Sequence, residues 1–145
     1  MRARGGDGLG RFSVEFEVAN YGDVTLMERG LLPADQVRRE MIRGVVDSGA
    51  AMLVLPQAVV KRLGLPLGGK VKVRYADGRR AQRREAKGVF LKLLGRDSTF
   101  NAVCEPKRET ALLGAIVLEA LDLLVDCRNN RVVPRDPSGP IYEIE

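Results

Sequence analysis

Residues 44–55 have the sequence GVVDSGAAMLVL, in which two apolar runs flank the short turn Asp47-Ser48-Gly49-Ala50. Asp, Ser and Gly together mark turns, and short apolar runs bounded by turns are typical of buried strands. We therefore predict a buried strand that ends at Val46, directly before Asp47, then a tight turn, and a second buried strand over residues 51–55. This arrangement presents one carboxylate at the end of a strand.

Each residue of this turn has a property that suits an active site. Gly49 can adopt backbone angles that a Cβ forbids, and it lets another chain approach closely. Ser48 supplies a hydroxyl that can lock the turn by a hydrogen bond, and Ala50 leaves space beside the carboxylate of Asp47. Asp-Ser-Gly alone is nevertheless a common turn, so its interpretation depends on the surrounding sequence.

The composition limits the chemistry that the chain can perform. It contains no histidine, which excludes Ser-His-Asp and Cys-His catalysis and every histidine-ligated metal site. The two cysteines, Cys104 and Cys127, cannot complete a structural zinc site, and we expect them to be free, buried thiols. Hydrolysis would have to use carboxylates, Lys, Tyr or a hydroxyl, and we predict no metal and no cofactor.

The rest of the chain predicts many short strands and little helix. Pro56 and Gly64 bound a predicted helix, a second short helix is predicted over residues 116–121, and residues 21–36 are predicted to be a loop with at most a short strand. Asp77-Gly78 is a strong hairpin signal. The predicted strands cover residues 12–18, 37–46, 51–55, 71–75, a return strand that starts within 79–87 and continues after Gly88 over 89–94, and then 99–104, 123–125 and 131–133. This pattern is typical of an all-β barrel or sandwich.

The length of 145 residues fits one domain. Residues 1–10 are rich in Arg and Gly and are predicted to be a flexible N-terminal extension, which leaves residues 11–145 as the domain. No apolar run approaches the roughly 20 residues that a bilayer span needs, and the first residues do not resemble a secretory signal. We therefore expect a cytoplasmic location and no membrane partner.

Positive charge is concentrated in residues 61–96. This segment has 12 Lys or Arg against only Asp77 and Glu85, whereas the formal net charge of the whole chain is +5. Lys and Arg keep an exposed hairpin solvated and discourage edge-to-edge pairing of strands. The same charges also favour an acidic partner, and composition does not decide between these explanations.

The order of these elements resembles that of the retropepsin-like aspartic proteases of clan AA, in particular the single-domain bacterial and archaeal members. The resemblance covers residues 11 to about 134. It is carried by four stretches with the sequences GVVDSGA (44–50), LVLP (53–56), ADGR (76–79) and LLGAIVLEAL (112–121). It implies a small closed acid-protease barrel with one or two short helices and a flap hairpin.

The resemblance also implies roles for individual residues. Asp47 would be the catalytic carboxylate, in an active-site turn formed with Ser48, Gly49 and Ala50. Residues 71–86 would form the flap over a peptide or protein substrate, and Leu112, Leu113 and Gly114 would support the active-site turn. The flap tip, Tyr75-Ala76-Asp77-Gly78-Arg79, is less rich in glycine than retroviral flaps, and Ser48 stands where Thr is commoner.

The number of Asp-Ser-Gly motifs in the chain bears on how it assembles. Aspartic protease chemistry needs two carboxylates, and this chain has one Asp-Ser-Gly, since Asp136-Pro137-Ser138-Gly139 has the wrong spacing. We therefore expect a homodimer in which each copy contributes Asp47 across a two-fold axis. Residues 141–144 alternate like a strand that pairs at the interface, although a frayed end explains them equally well.

The alternative function is that of a non-catalytic β-barrel dimer, whose basic hairpin would bind nucleic acid or protein. Nucleic acid is the less favoured partner, because Tyr75 and Phe90 are the aromatic residues of that hairpin. Base-stacking platforms usually need more than two aromatic side chains.

Overall fold

The computed structural model describes residues 11–145, and the predicted extension over residues 1–10 lies outside this range. Its nine strands are β1 (Arg11–Asn20), β2 (Arg39–Asp47), β3 (Leu53–Pro56), β4 (Leu67–Arg74), β5 (Arg80–Leu93), β6 (Arg96–Glu105), β7 (Ala111–Leu113), β8 (Leu123–Asp126) and β9 (Arg131–Pro134). Its helices are α1 (Tyr21–Glu28), α2 (Gln57–Arg62) and α3 (Ala115–Ala120), with a 3-10 turn at Ala34–Gln36. The prediction of an all-β fold is confirmed.

Six of the strands close into a barrel. They are hydrogen-bonded in the order β1-β2-β7-β3-β6-β5, and β5 pairs with β1 to complete the ring. Closure removes the open edges of these six strands. Among the described residues, strand β4 pairs only with β5, so it extends the sheet beyond the ring as one arm of a hairpin. The strands β8 and β9 form a separate hairpin after α3.

The barrel interior is filled by the apolar side chains whose alternation predicted the strands. On β1, Phe12 and Phe16 are fully buried, and the fully buried Leu53 and Leu55 on β3 belong to the same core. Burying one such side chain stabilises the fold by about 1.5–3 kcal/mol. The core therefore fixes which face of each strand points inward.

Residues 21–36 were predicted to be a loop with at most a short strand, and this prediction is wrong. They form α1 and the 3-10 turn. The side chain of Asn20 caps α1 by accepting a hydrogen bond from the backbone N–H of Asp23 at 3.0 Å. Asp23 is itself buried and accepts two side-chain bonds from Arg38, which lower the pKa of its carboxyl. Gly22 in the first turn weakens the helical pattern, which hid this helix.

The predicted hairpin around Asp77-Gly78 is present, with a long second arm. Strand β5 is interrupted by a bulge between Ala86 and Val89, where Gly88 has a φ of +71°. A left-handed residue at a bulge bends a strand, and glycine adopts it without a Cβ penalty. Before the bulge β5 belongs to the exposed hairpin, and after it β5 belongs to the barrel.

The C-terminal residues 135–145 do not form a strand in the single chain. The Tyr142 hydroxyl donates to the carbonyl of Ala120, and the backbone N–H of Ile141 donates to Asp122. Ile144 is 89% exposed. The tail thus lies against the end of α3 with its last apolar side chains in solvent. Within residues 11–145, none of the helices is long and apolar enough to span a membrane.

Candidate active site

Asp47 is the last residue of β2 and presents its carboxylate at one end of the barrel. Its side chain is 26% exposed. One carboxylate oxygen, Oδ1, accepts a hydrogen bond from the backbone N–H of Gly49 at 3.0 Å, and Nε of Arg11 lies 3.6 Å from Oδ2. The N–H of Ala50 donates to the carbonyl of Asp47 at 3.1 Å, which closes the turn. The carboxylate is therefore oriented yet accessible.

The segment that begins with Asp47, residues 47–52, is here called the Asp47 loop, and backbone groups from another part of the chain hold it in place. The N–H groups of Gly114, Ala115 and Ile116 donate to the carbonyls of Met52, Ala50 and Ala51. The three N···O distances are 3.0, 2.7 and 3.0 Å. The start of α3 therefore satisfies three consecutive loop carbonyls, which fixes the loop without any side chain.

Gly114 permits this close approach because it has no side chain. A Cβ on it would lie 2.4 Å from the carbonyl oxygen of Met52, 2.7 Å from the nitrogen of Met52 and 2.8 Å from the carbonyl oxygen of Ala50. Its φ of −87° is ordinary for any residue, so the requirement for glycine comes from contact with the loop backbone. These neighbours are backbone atoms, which cannot rotate away.

Leu112 and Leu113 bring Gly114 to this position. Strand β7 lies between β2 and β3, with Leu112 opposite Val45 and Leu113 opposite Val46. Leu113 is fully buried, whereas Leu112 is half-buried. The structure thus brings the predicted supporting segment and the predicted catalytic turn together, and their catalytic roles stay predictions.

Ser48 has a different environment from the one predicted. Its hydroxyl was expected to lock the turn, but it is exposed and makes no hydrogen bond within residues 11–145. The turn is closed by the Gly49 and Ala50 N–H groups instead. Ser48 and Gly49 are both exposed at the surface of the single chain.

The tip of the β4–β5 hairpin, residues 75–79, is a compact turn held largely by side chains. The backbone of Tyr75 bonds to that of Arg79 and of Gly78, and Gly78 has a φ of +88°. The Arg79 guanidinium lies 4.7 Å from the centre of the Tyr75 ring and also donates to Asp77 at 2.8 Å. Ala76 completes the tip and is exposed.

Glu105 anchors this tip to the barrel, and sequence reasoning missed it. Glu105 ends β6, is 8% exposed, and accepts bonds from the Tyr75 hydroxyl at 2.5 Å and from Nε of Arg83 at 2.9 Å. The bond to Glu105, followed by burial, raises the pKa of Tyr75. An acidic residue directly after the apolar end of a strand was the available signal.

A cleft of about 210 Å³ lies between the hairpin and α2. Its lining is formed by Gln57, Val60, Lys61, Leu67, Gln82, Arg83, Arg84, Cys104 and Pro106, and it does not include Asp47. Cys104 is a buried free thiol, as predicted, and its pKa is raised mainly by burial. Cys127 is free but exposed, so the prediction that it is buried is wrong; it lies in the turn between β8 and β9. Residues 11–145 contain no group of three His, Cys, Asp or Glu that could hold a metal ion.

A comparison with known protein families identifies the family of this chain. A family model described as aspartyl protease matches residues 36–116, which include the Asp47 loop, the hairpin and Leu112–Gly114. The chain belongs to the aspartyl protease family. The resemblance seen in the sequence is thereby confirmed. No curated protein sequence matches this aspartyl protease significantly.

Several solved structures are similar to this family member. EIAV protease, complexed with the inhibitor HBY-793, is 23% identical, with 56% of this chain and 77% of that chain covered and a TM-score of 0.46. The retroviral protease-like domain of Ddi1 from Leishmania major is 16% identical, with 67% and 81% covered and a TM-score of 0.47. The protease of simian foamy virus (mac) is 15% identical, with 72% and 91% covered and a TM-score of 0.45.

Proposed function

We propose that the protein is an aspartic endopeptidase that acts as a homodimer, with Asp47 of each copy forming the catalytic pair. The observation that carries this proposal is the geometry of the Asp47 loop. One accessible carboxylate is oriented by the Gly49 N–H, on a loop whose carbonyls are held by the start of α3. Such rigid support is what a catalytic group needs to keep its geometry.

In the proposed mechanism, the two Asp47 carboxylates face each other and share one proton, because two adjacent carboxylates cannot both ionise readily, as is general for aspartic protease pairs. The ionised carboxylate takes a proton from a water molecule, whose oxygen forms a bond to the scissile carbonyl carbon. The protonated carboxyl donates its proton to the carbonyl oxygen. The C–N bond of the resulting tetrahedral diol then breaks as the nitrogen receives a proton.

The surface of the single chain is compatible with this dimer. Ser48 and Gly49 are exposed beside the catalytic carboxylate, where a two-fold axis through the site would bring the second copy. Tyr142 and Ile144 expose apolar surface at the C-terminal tail, and an interface would bury it. In this proposal the β4–β5 hairpin acts as the flap over the bound peptide.

The alternative, a non-catalytic dimer whose basic hairpin binds nucleic acid, is less well supported. Tyr75 is the aromatic residue at the hairpin tip, and its ring is covered by Arg79 while its hydroxyl is bonded to Glu105. It is therefore not free to stack on a base, which is the main sequence-tolerant contact with single strands.

The test compares Asp47→Asn with the wild-type chain and with Asp97→Asn, a matched control in which an exposed carboxylate on β6 is removed. Hydrolysis of a peptide library should fall by about 10³-fold or more in Asp47→Asn and stay unchanged in Asp97→Asn. Light scattering should give twice the chain mass of 15.9 kDa for all three proteins. Wild-type hydrolysis by a folded Asp47→Asn dimer would show that another group is catalytic.

Mixing experiments test whether two copies share one site. Wild-type and Asp47→Asn chains are mixed in equal amounts and allowed to exchange subunits. If both carboxylates are needed, activity should fall to about one quarter of that of the same total amount of wild type, since only wild-type pairs are active. A fall to one half would mean that each chain works alone and would contradict the shared site.

A further inference from the structure

The strand register of the β4–β5 hairpin shows which of its charged side chains lie on the same face. Lys70 lies opposite Arg84, Lys72 opposite Gln82, and Arg74 opposite Arg80. Because side chains opposite each other share a face and every second residue returns to it, these six residues form one face. All six are exposed, and they are here called the cationic face.

The opposite face of the hairpin is directed toward the body of the protein. It carries Val71, Val73, Ala81 and Arg83, all of which are half-buried. Arg83 on this face is paired with the buried Glu105. The cationic face is therefore the outer surface of the hairpin along β4, and at its base Gln82 and Arg84 also line the cleft beside α2.

The charge on the cationic face is of one sign. Five of its six residues are Lys or Arg and none is acidic, and within residues 11–145 none of the five forms an ion pair. Solvation alone does not explain this arrangement, because like charges directly opposite each other in an antiparallel pair are destabilising. Two such pairs, Lys70 with Arg84 and Arg74 with Arg80, lie on this face. An acidic partner would relieve that repulsion.

The same hairpin also has an open sheet edge. Strand β4 pairs with β5 on one side, and its other side pairs with no strand within residues 11–145. An unpaired edge offers backbone N–H and C=O groups to an extended peptide, which adds to the sheet as a further strand. In such a strand alternate side chains are spaced about 6.6–6.8 Å apart, as are Lys70, Lys72 and Arg74 on β4.

We propose that the edge of β4 and the cationic face together bind an extended acidic segment with acidic residues at alternate positions. The backbone of the segment would pair with β4, and its carboxylates would lie beside Lys70, Lys72 and Arg74. That this segment belongs to a protein substrate rests on the proposed function. A peptide fits better than a nucleic acid, because the edge supplies backbone partners, whereas the one aromatic ring at the tip is covered by Arg79.

The test measures binding without cleavage, on the full chain carrying Asp47→Asn, by fluorescence anisotropy of a labelled peptide of alternating Glu and Val. The matched Gln-Val peptide tests charge, and a Glu-Val peptide N-methylated at every residue, which can pair through neither edge, tests edge pairing. We expect the Glu-Val peptide to bind at least about tenfold more tightly than either, and its affinity to fall as salt rises. Equal binding of the Gln-Val or the N-methylated peptide would overturn the proposal.

Charge-reversal variants locate the binding surface. Lys72→Glu, on the cationic face, should weaken binding of the Glu-Val peptide by about tenfold. Arg128→Glu makes the same change of net charge at an exposed position in the β8–β9 turn and should weaken it less than twofold. Equal weakening by both variants would overturn the proposal, as would tighter binding of a single-stranded oligonucleotide of matched charge. A negative result in these binding experiments would not contradict hydrolysis by Asp47, because binding is measured on the Asp47→Asn chain and activity is tested separately.

Discussion

The Asp47 loop and the tip of the β4–β5 hairpin are both short turns, but the protein holds them by different means. The Asp47 loop is fixed by three backbone hydrogen bonds from residues 114–116, at a place where no side chain fits. The hairpin tip is joined to the barrel through side chains, with Tyr75 and Arg83 bonded to Glu105.

This difference in anchoring bears on the proposal that the hairpin acts as a flap. The three hydrogen bonds to the Asp47 loop join backbone groups that cannot rotate away, and none of them involves a titratable group. The loop therefore keeps the Asp47 carboxylate in one place. The bonds of Tyr75 and Arg83 to Glu105 can break while both strands of the hairpin remain intact. We therefore infer that the hairpin opens by releasing Glu105 while the Asp47 loop stays fixed, as gating of an enzyme site requires.

The largest expected effect is that of Gly114→Ala. The added Cβ would overlap three backbone atoms of the Asp47 loop and force the loop away from α3. We expect the free energy of unfolding to fall by about 3 kcal/mol, the upper end of ordinary overpacking costs. Urea unfolding monitored by circular dichroism measures this change.

The matched control for Gly114→Ala is Gly69→Ala. Gly69 lies on exposed β4, and a Cβ there would meet no atom within 4 Å. The free energy of unfolding should change by less than about 1 kcal/mol, because the new methyl group meets open space. If both variants lost a similar free energy of unfolding, the close backbone contact at Gly114 would not be what holds the Asp47 loop. The proposed contrast between the two turns would then fail.

The next effect is that of Glu105→Gln, which keeps the shape of the side chain and removes its charge. Arg83 loses its ion pair, and Tyr75 keeps only a neutral acceptor. We expect the free energy of unfolding to fall by about 1–2 kcal/mol, as for a hydrogen bond to a charged group. Trypsin should cut the hairpin faster, since Arg83, which is half-buried and paired with Glu105 in the wild type, becomes accessible as the tip detaches.

Glu85→Gln is the control for this variant, because Glu85 lies in the hairpin itself, on β5, and carries the same charge as Glu105. It is half-buried and forms no ion pair within the described range. Its hairpin should be cut at the wild-type rate. Unchanged cutting in Glu105→Gln, or faster cutting in both variants, would contradict the role given to Glu105.

The sequence predicted the Asp47 loop better than the contacts of the hairpin tip, for a physical reason. Asp47-Ser48-Gly49 and Leu112-Leu113-Gly114 are short patterns that can each be recognised from consecutive residues. The contact between Tyr75 and Glu105 joins residues 30 positions apart, and nothing near either residue marks the other. Alternation identified the buried face of each strand, whereas the place of β7 between β2 and β3 depends on the closure of the barrel.

The same reasoning explains the helix that the sequence missed. The start of α1 depends on the side chain of Asn20, and its buried Asp23 is satisfied by Arg38, 15 positions away. Local propensity is weak in this stretch because Gly22 disfavours a helix. Contacts with distant residues overrode propensity here, as they often do for short helices.

The smallest effect concerns the pH dependence of the hairpin contact. The pKa of Tyr75 is raised above its usual value of 10.0, chiefly by its hydrogen bond to Glu105. The folded state therefore holds this proton more tightly than the unfolded state does. The resulting stabilisation is fully present below pH 10 and is lost as the pH rises through the raised pKa of the folded state.

Tyr75→Phe isolates this contribution. At neutral pH it should lower the free energy of unfolding by about 1 kcal/mol, the usual net value of one hydrogen bond. The difference from wild type should shrink above pH 10, where wild type also loses the bond. The total tyrosinate absorbance change of the variant should be smaller than that of wild type by one tyrosine of the three. In the Glu105→Gln background the effect of Tyr75→Phe should be smaller, because the charged acceptor is already gone. A difference that stays constant from pH 7 to pH 11, or that is the same in both backgrounds, would show that Tyr75 stabilises the hairpin by packing and not by its bond to Glu105.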